Sequence, residues 1–145
     1  MRDWLATHWI TEHQTDRQEI RDLLAVADRD LADCNVAGLS ADARLALAYN
    51  GALQLATIAL AACGYRASRQ RHHHTVIQSL AHTIVANSRL ITEFDNFRKK
   101  RNISGYERAG CVSDHEAERM ARLALRLRGD VERWLRARHP ELLTD

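Results

Sequence analysis

The stretch that decides the fold is LSADARLALAYNGALQLATIALAACGYR, residues 39–66. Ser40 is a favourable N-cap, and Asp42 follows in the first turn, where the helix dipole favours negative charge. Gly64 is a typical stop signal just past a helix end. Between these signals the residues are apolar nearly all round, and Gly51 and many alanines allow close approach of neighbouring helices. The sequence therefore predicts a helix from Ser40 to Cys63 that is the most buried element of the fold.

The same stretch raises the question of a membrane span. Residues 45–65 carry no charge, and a run of about 20 apolar residues is long enough to cross a bilayer. The run is rich in alanine, however, and includes Asn50, Gln54 and Thr57. Because amphipathic segments flank it, we expect a buried central helix and no membrane span.

An amphipathic helix is predicted on the N-terminal side. Thr15 or Asp16 is its N-cap, apolar residues recur at three- and four-residue steps over 20–34, and Gly38 ends it. Residues 1–13 are ambiguous and are interpreted as a short helix or an arm that packs on the other helices.

Two more helices are predicted on the C-terminal side. Apolar residues at helical spacing predict a third long helix over 76–102. Residues 103–112 have the composition of a turn or a broken helical connection. Ser113 and Glu116 form an S-x-x-E capping box that opens the last helix, and Pro140 closes it.

Composition agrees with a helical protein. The chain has 145 residues, one proline and six glycines, and aromatic residues make up only 6%. A many-stranded β fold needs more turn residues and more aromatic and β-branched residues, so an all-β fold is excluded. Residues 1–145 are expected to form a single domain. Since the connections are short, we predict an all-α, antiparallel up-and-down four-helix bundle with a short extra N-terminal helix.

Charge and cysteine content bear on location. The formal net charge is +2, which is typical of neither an acidic tail nor a strongly basic nucleic-acid binder. Cys34, Cys63 and Cys111 are an odd number without a C-x-x-C pair, which favours a reducing compartment over a disulfide framework. The first residues lack the apolar segment of a secretory signal. We expect a cytoplasmic protein.

The densest polar cluster is FRKKRNISGYER, residues 97–108. Its cations are suited to a phosphate backbone, and Tyr106 is suited to stacking on a base or donating a hydrogen bond. A basic helix end is also expected on dipole grounds alone. The candidate nucleic-acid-binding residues are Arg98, Lys99, Lys100, Arg101, Asn102 and Arg108.

The run His72–His74 is a weaker candidate for a metal site. Consecutive helical residues point about 100° apart, so the three cannot chelate one ion, and no pair has the spacing of metal ligands. We predict no metal and no cofactor. A solvated turn and an anion site at a helix start both remain open for this basic turn. The arginines of the last helix have the same two interpretations, a solvated face or a phosphate-binding stripe: Arg119, Arg122, Arg126, Arg133 and Arg136.

Several stretches together resemble the HEPN domain, the "higher eukaryotes and prokaryotes nucleotide-binding" helical family. The likeness lies in residues 39–66, in RHHHTVIQSL (71–80), in FDNFRKKRNISGYE (94–107) and in VERWLRARHPEL (131–142). It extends over about residues 16–142 and is closest to small stand-alone bacterial members. The segment 94–107 is similar to the family's R-x-x-R-N-x-x-x-[H/Y] region.

The resemblance implies a helical bundle that dimerises. Many HEPN domains are metal-independent ribonucleases, often toxins, whose arginine and histidine meet in the dimer cleft, where the RNA 2′-hydroxyl attacks the adjacent phosphate. Arg101 matches the motif arginine and Asn102 the polar residue after it. The chain then departs from the motif, since Tyr106 stands where the histidine is expected. A phenol with a pKa near 10 is a poor general base at neutral pH.

Another histidine is a candidate for the missing base. His115 follows Arg108 with six residues between, which also matches the motif spacing, although other Arg–His pairs in the chain match it too. The candidate catalytic residues are therefore Arg101, Tyr106 and His115.

Three functions follow from these patterns. The first is a dimeric HEPN-like protein that binds RNA or a nucleotide through the Arg101–Tyr106 region and has weak catalysis or none. The second is an active, metal-independent endoribonuclease, the toxin of a toxin–antitoxin or defence system. The third is a scaffold that partners another protein, such as a nucleotidyltransferase antitoxin.

Overall fold

The computed structural model describes residues 2–104 and 112–143. Within these ranges the chain is mainly α-helical, as predicted, and also forms a two-stranded sheet that the sequence patterns do not predict. The helices are α1 (Arg2–Ala6), α2 (Arg17–Asp33), α3 (Ala41–Ala62), α4 (His72–Ser79), α5 (Ser88–Ser104) and α6 (Asp114–Arg138). The strands are β1 (Ile10–Glu12) and β2 (Tyr65–Ala67), and a short 3₁₀ helix spans Pro140–Leu142.

Helix α3 lies at the centre of the core, with α2 and α6 packed along it. Its predicted signals are confirmed: the Ser40 hydroxyl accepts a hydrogen bond from the Ala43 amide, 3.1 Å away, and Gly64 ends the helix with φ +95°. Helix α3 is also long and apolar enough to cross a bilayer by length and composition, but 67% of its most apolar window is buried inside the protein. The prediction of a buried central helix is therefore confirmed.

The contact between α2 and α3 depends on one glycine and one buried carboxylate. A Cβ on Gly51 would lie 3.2 Å from two side-chain atoms of Leu31, so the two helices approach closely at this point. The Asp30 carboxylate is buried and accepts a 2.6 Å hydrogen bond from the Asn50 amide. The exposed Arg29 guanidinium lies 3.2 Å from the same carboxylate. The hydrogen bond between these two side chains joins α2 to α3 and satisfies the buried carboxylate.

The prediction of one continuous third helix is wrong, because the chain forms α4 and α5 with residues 80–87 between them. The hydroxyls of Ser79 and Thr83 donate hydrogen bonds to backbone carbonyls one turn earlier, at 2.6 and 3.3 Å. Such side-chain bonds compete with the helical ladder. Val85 then has the left-handed φ of 54°, which no helix tolerates, and the Asn87 side chain caps the start of α5.

The sheet joins two segments that lie far apart in the sequence. Strands β1 and β2 pair antiparallel, with Ile10 opposite Ala67 and Glu12 opposite Tyr65. The ambiguous N-terminal segment is thus a short helix followed by a strand. Because β2 leads directly into the basic turn before α4, the pairing holds that turn against the N-terminal arm.

Helix α6 completes the core. Its predicted capping box is confirmed, since Ser113 and Glu116 each accept a hydrogen bond from the other's backbone amide. Its helical hydrogen bonding ends at Arg138, before Pro140, as predicted. Arg128 reaches across to Asp28 of α2, with 2.7 Å between Nε and the carboxylate, and so ties α6 to α2.

Candidate functional site

The basic turn before α4 is held by the N-terminal arm. The Ser68 amide donates a 2.9 Å hydrogen bond to the Trp9 carbonyl. Arg71, the residue before α4, has a left-handed φ of 56°, and its guanidinium lies over the Trp9 ring, 5.1 Å from the centroid. Its side chain makes no capping hydrogen bond to the helix. The first amides of α4 therefore lack a cap from this residue, and such amides are donors suited to an anion.

Asp95 of α5 contacts three basic side chains, from α4 and from α5 itself. Its carboxylate accepts a 2.7 Å hydrogen bond from Arg98 and lies 3.4 Å from His74 Nδ1 and 3.7 Å from Lys99 Nζ. Burial by itself would raise the pKa of Asp95, but the hydrogen bond and charge of Arg98, together with His74, outweigh it and lower the pKa. Asp95 is thus an ionised group that orients Arg98 and His74.

Tyr49 of α3 contacts both His73 and Arg101. The side chain is almost fully buried, with its hydroxyl 3.1 Å from His73 Nδ1. The Arg101 guanidinium lies over the Tyr49 ring, 5.2 Å from the centroid, and Phe94 meets the ring edge-on. Burial raises the pKa of Tyr49 to about 12, against the opposing influence of Arg101 and Arg98. The phenol therefore stays protonated at neutral pH.

His73 is a neutral imidazole in a positive environment. Burial lowers its pKa, and the neighbouring His72, Arg101 and Arg98 lower it further. When the protonated Tyr49 hydroxyl donates to Nδ1, the proton of the neutral ring is on Nε2. This tautomer presents an N–H donor beyond the tyrosine.

Arg71, His73, His74 and Arg98 line one open cavity of about 630 Å³, here called the basic cavity. Its walls come from the turn before α4, the first turn of α4 and the middle of α5. The lining residues are Arg69, Arg71, His72, His73, His74 and Arg98. The arrangement offers guanidinium and imidazole donors from two separate chain segments to one bound anion.

The predicted cluster on α5 is divided between two sides of the helix. Arg98 and Arg101 face α4 and α3, whereas Lys100 forms a 3.3 Å ion pair with Glu116 at the start of α6. Lys99 is largely exposed. Residues two positions apart on a helix point in different directions, so this run cannot form one continuous patch.

The other predicted residues fall into two groups. His115 is exposed in the first turn of α6, as the capping box predicts. Asn102 lies in the last turn of α5. Tyr106, Arg108 and Cys111 lie outside the described residues, so their predicted roles stay predictions.

The histidine run does not act as one group. His73 contacts Tyr49, His74 contacts Asp95, and His72 contributes to the wall of the basic cavity. Among residues 2–104 and 112–143, no cluster of three His, Cys, Asp or Glu side chains has the arrangement needed to hold a metal ion. Of the two interpretations left open for this turn, its geometry favours the anion site.

The arginine face of α6 is largely paired within the helix. Arg122 bonds to Glu118, and Arg136 bonds to Glu132, each at i,i+4 spacing. Asp130 lies beside the exposed Arg126 and Arg133 in the same way. These pairs favour the solvated-face interpretation.

Sequence reasoning missed Tyr49 and Asp95 as members of the site. Tyr49 stands out in the sequence only as an aromatic residue in an alanine-rich helix. The i,i+3 spacing of Asp95 and Arg98 is a usable signal, since residues at this spacing are neighbours on a helix surface. No pattern in the sequence links either residue to His73 or His74, because the contact joins different elements.

No family model, no curated protein and no solved structure matches this chain.

Proposed function

We propose that this chain is a helical protein that binds RNA or a nucleotide through phosphate groups held in the basic cavity. The observation that carries the proposal is the convergence of Arg98 from α5 with the arginines and histidines at the start of α4 around one opening. Residues from distant parts of the sequence meet there, so the cluster is not a by-product of one charged helix end.

The chemistry of the cavity suits a phosphate. A guanidinium group offers two parallel N–H donors that match two phosphate oxygens. The start of α4 adds backbone amides and the positive end of the helix dipole. Asp95 offsets only one of the three arginine charges that line the cavity, so the opening keeps a positive surplus.

The proposal retains the resemblance to HEPN domains. On this view the long helices correspond to the up-and-down bundle of that family, the chain forms a homodimer, and it acts in the cytoplasm. Arg101, which contacts Tyr49 together with His73, is the motif arginine on this view. The chain differs from the family in the source of the histidine. In family members the histidine follows the motif arginine by a few residues in the sequence, whereas here His73 of α4 and the motif arginine contact the same tyrosine.

Salt-dependent binding of labelled single-stranded RNA tests the proposal. Arg69→Ala and Arg98→Ala are each expected to weaken binding and to reduce the slope of log K against log salt by about 0.7, since each removes one contact to a phosphate of a single strand. Fluorescence anisotropy across a salt series gives both quantities. Inorganic pyrophosphate, titrated by calorimetry, is expected to bind the wild-type chain and to lose affinity in the same variants.

Arg136→Ala is the matched control. It removes the same charge from the last turn of α6, where Arg136 is exposed and bonds to Glu132. The expected result is an unchanged salt slope. Full RNA affinity in the Arg69→Ala/Arg98→Ala double variant would contradict the proposal, and a loss in Arg136→Ala would instead favour the arginine stripe of α6.

Metal-independent RNA cleavage in the same cavity is a second candidate, favoured by the contacts around Tyr49. His73 and Arg101 both contact Tyr49, one through a hydrogen bond and one through the ring face. In the other neutral tautomer, in which Nδ1–H donates to the Tyr49 oxygen, Nε2 of His73 has a free lone pair and is a competent general base for the RNA 2′-hydroxyl. As the 2′-oxygen bonds to phosphorus, its proton passes to His73 and an arginine stabilises the added negative charge. The bond from phosphorus to the 5′-oxygen then breaks, and that oxygen takes a proton from solvent water. The products are a 2′,3′-cyclic phosphate and a 5′-hydroxyl.

Cleavage of labelled RNA in excess chelator separates binding from catalysis. If the chain is a nuclease, His73→Ala is expected to lower the rate about a hundredfold or more, the usual contribution of a general base. Arg101→Ala is expected to lower it by about as much, the usual contribution of one group that stabilises charge in the transition state. His115→Ala and Tyr106→Phe test the two bases that the motif spacing favours. Cleavage that survives in His73→Ala but disappears in His115→Ala would transfer the role to His115. No cleavage in any variant, with RNA still bound, would support the binding function alone.

A further inference from the structure

A second cavity adjoins the basic cavity and shares two of its lining residues, Arg69 and His72. Its volume is about 320 Å³. We call it the apolar cavity, because its inner wall is formed by Leu23 of α2, Leu60 of α3 and Val76 of α4. The two cavities therefore meet at a common rim that carries a guanidinium and an imidazole.

The apolar cavity has the size and lining of a small-ligand pocket. Ligand sites are mostly apolar, hold a few placed polar groups and start at about 300 Å³, so this one suits a single planar ring system. Tyr65 of β2 and Thr57 of α3 also line the cavity, so an aromatic side chain is part of its wall. An aromatic side chain in such a wall is the usual platform for a nucleobase.

The lining of the apolar cavity also includes hydrogen-bonding groups. Glu19 and His13 line it, with 2.8 Å between His13 Nε2 and Glu19 Oε1, and the Thr15 hydroxyl donates to the same carboxylate oxygen at 2.6 Å. Burial alone would raise the pKa of Glu19, but its bonds to Thr15 and His13 lower it. An ionised carboxylate has capacity for further donors, which the N–H groups on the edge of a base supply.

We propose that the apolar and basic cavities form one nucleotide site, with the base in the apolar cavity and the phosphates on the arginines and histidines of the basic cavity. Arg69 and His72 on the shared rim lie where the sugar and first phosphate pass between the two. The inference rests on the proposed function, since it assigns a base subsite to the same phosphate-binding surface.

Calorimetric titration with GDP, with ADP and with inorganic pyrophosphate tests this arrangement. Pyrophosphate carries the phosphates without the nucleoside, so any surplus affinity of a nucleotide reports the base and sugar. At least one of the two nucleotides is expected to bind about tenfold tighter than pyrophosphate, in line with the contribution of a stacked base. The protein is the full chain in each titration.

Filling the apolar cavity is expected to remove that surplus. Thr57→Phe places a ring where the base would lie, so nucleotide affinity falls to that of pyrophosphate while pyrophosphate binding is unchanged. Gln54→Phe is the matched control, because Gln54 lies one turn earlier on α3 and lines neither cavity. Tyr65→Leu is the second variant. It removes the aromatic ring, keeps an apolar side chain and is expected to lower the surplus affinity of the nucleotide. This variant decides the test if the thermal transition of Thr57→Phe shows that Thr57→Phe does not fold.

The outcomes separate the two proposals. Nucleotides that bind no tighter than pyrophosphate, or a folded Thr57→Phe variant that keeps the surplus, would overturn the base subsite and leave phosphate binding intact. Failure of RNA, pyrophosphate and both nucleotides to bind would overturn the proposed function and the base subsite together.

Discussion

The core formed by α2, α3 and α6 and the flank formed by α4 and α5 each bury one carboxylate beside an arginine, with opposite consequences. Asp30 in the core is held by Asn50 and the exposed Arg29, and it closes a contact between two helices. Asp95 in the flank is held by Arg98, His74 and Lys99, beside an opening lined by further cations. Asp30, whose neighbours satisfy its charge, joins two helices of the fold. Asp95, which has more positive than negative charge around it, orients the side chains of the candidate site.

The close approach of α2 and α3 at Gly51 gives the largest expected effect. Gly51→Leu should lower the free energy of unfolding by about 3 kcal/mol, because overpacking a filled contact forces the helices apart. Urea denaturation measures the change. Gly129→Ala is the contrasting control, since its new Cβ meets only the mobile guanidinium of Arg133. There the gain in helix propensity should raise stability by about 0.5 kcal/mol. A neutral Gly51→Leu would mean that the core is looser than the contact distances indicate.

Asp30→Ala sharpens the comparison of the two carboxylates. The variant leaves the Asn50 amide without its acceptor at a buried contact, so stability should fall by about 2 kcal/mol. RNA affinity should be unchanged, because Asp30 lines neither the basic nor the apolar cavity. Anisotropy and urea denaturation on the same preparation give the two values. A drop in RNA affinity for a fully folded Asp30→Ala protein would break the distinction between fold and site.

The break between α4 and α5 should carry strain that the core does not. Val85 is exposed and β-branched, and its φ of 54° is costly for such a residue. Val85→Gly should therefore raise the free energy of unfolding by up to about 1 kcal/mol. The gain is the relieved cost of the left-handed conformation minus the cost of the larger chain entropy that glycine has in the unfolded state. Val85→Ala is the control, as it removes the side chain but keeps a Cβ. A lower free energy of unfolding in Val85→Gly would contradict the prediction that the left-handed backbone at Val85 is strained.

The smallest effect is the pH dependence that His73 contributes. Its folded pKa is lowered below the ordinary 6.5 by burial and by His72, Arg101 and Arg98. The unfolded chain takes up the proton first, so this contribution is present above pH 6.5 and is lost as pH falls toward the folded pKa. On acidification from pH 7.5 to 5, wild-type protein should lose more stability than His73→Gln. Equal losses in urea denaturation would show that His73 lies in a less buried or less positive place.

Local signals predicted the core well, for physical reasons that act within one element. The cap at Ser40, the stop at Gly64 and the box at Ser113 and Glu116 each satisfy backbone groups within a few residues along the chain. The apolar surface of α3 predicted its burial, since burial among the other helices removes these side chains from water.

The third predicted helix failed because its apolar spacing continues through a backbone break. Leu80, Ile84 and Ile91 keep a helical period in the sequence, while the hydroxyls of Ser79 and Thr83 bond to the backbone and Val85 turns the chain. Hydrophobic period reports which residues are buried and does not report whether the backbone ladder is continuous.

By itself, the sequence determined the helical class, the central position of α3, the start of α2, both ends of α3 and α6, and the presence of a basic, histidine-rich turn. Composition, period and capping act over one or two turns of chain. Only the tertiary structure decided which cations meet. Pairing of β1 with β2 holds the turn of Arg69 and Arg71, the break at 80–87 sets α4 beside α5, and Tyr49 lies beneath His73 and Arg101. Each of these contacts joins segments far apart in sequence, and their closure is stabilised by burial of the shared core rather than by any local preference.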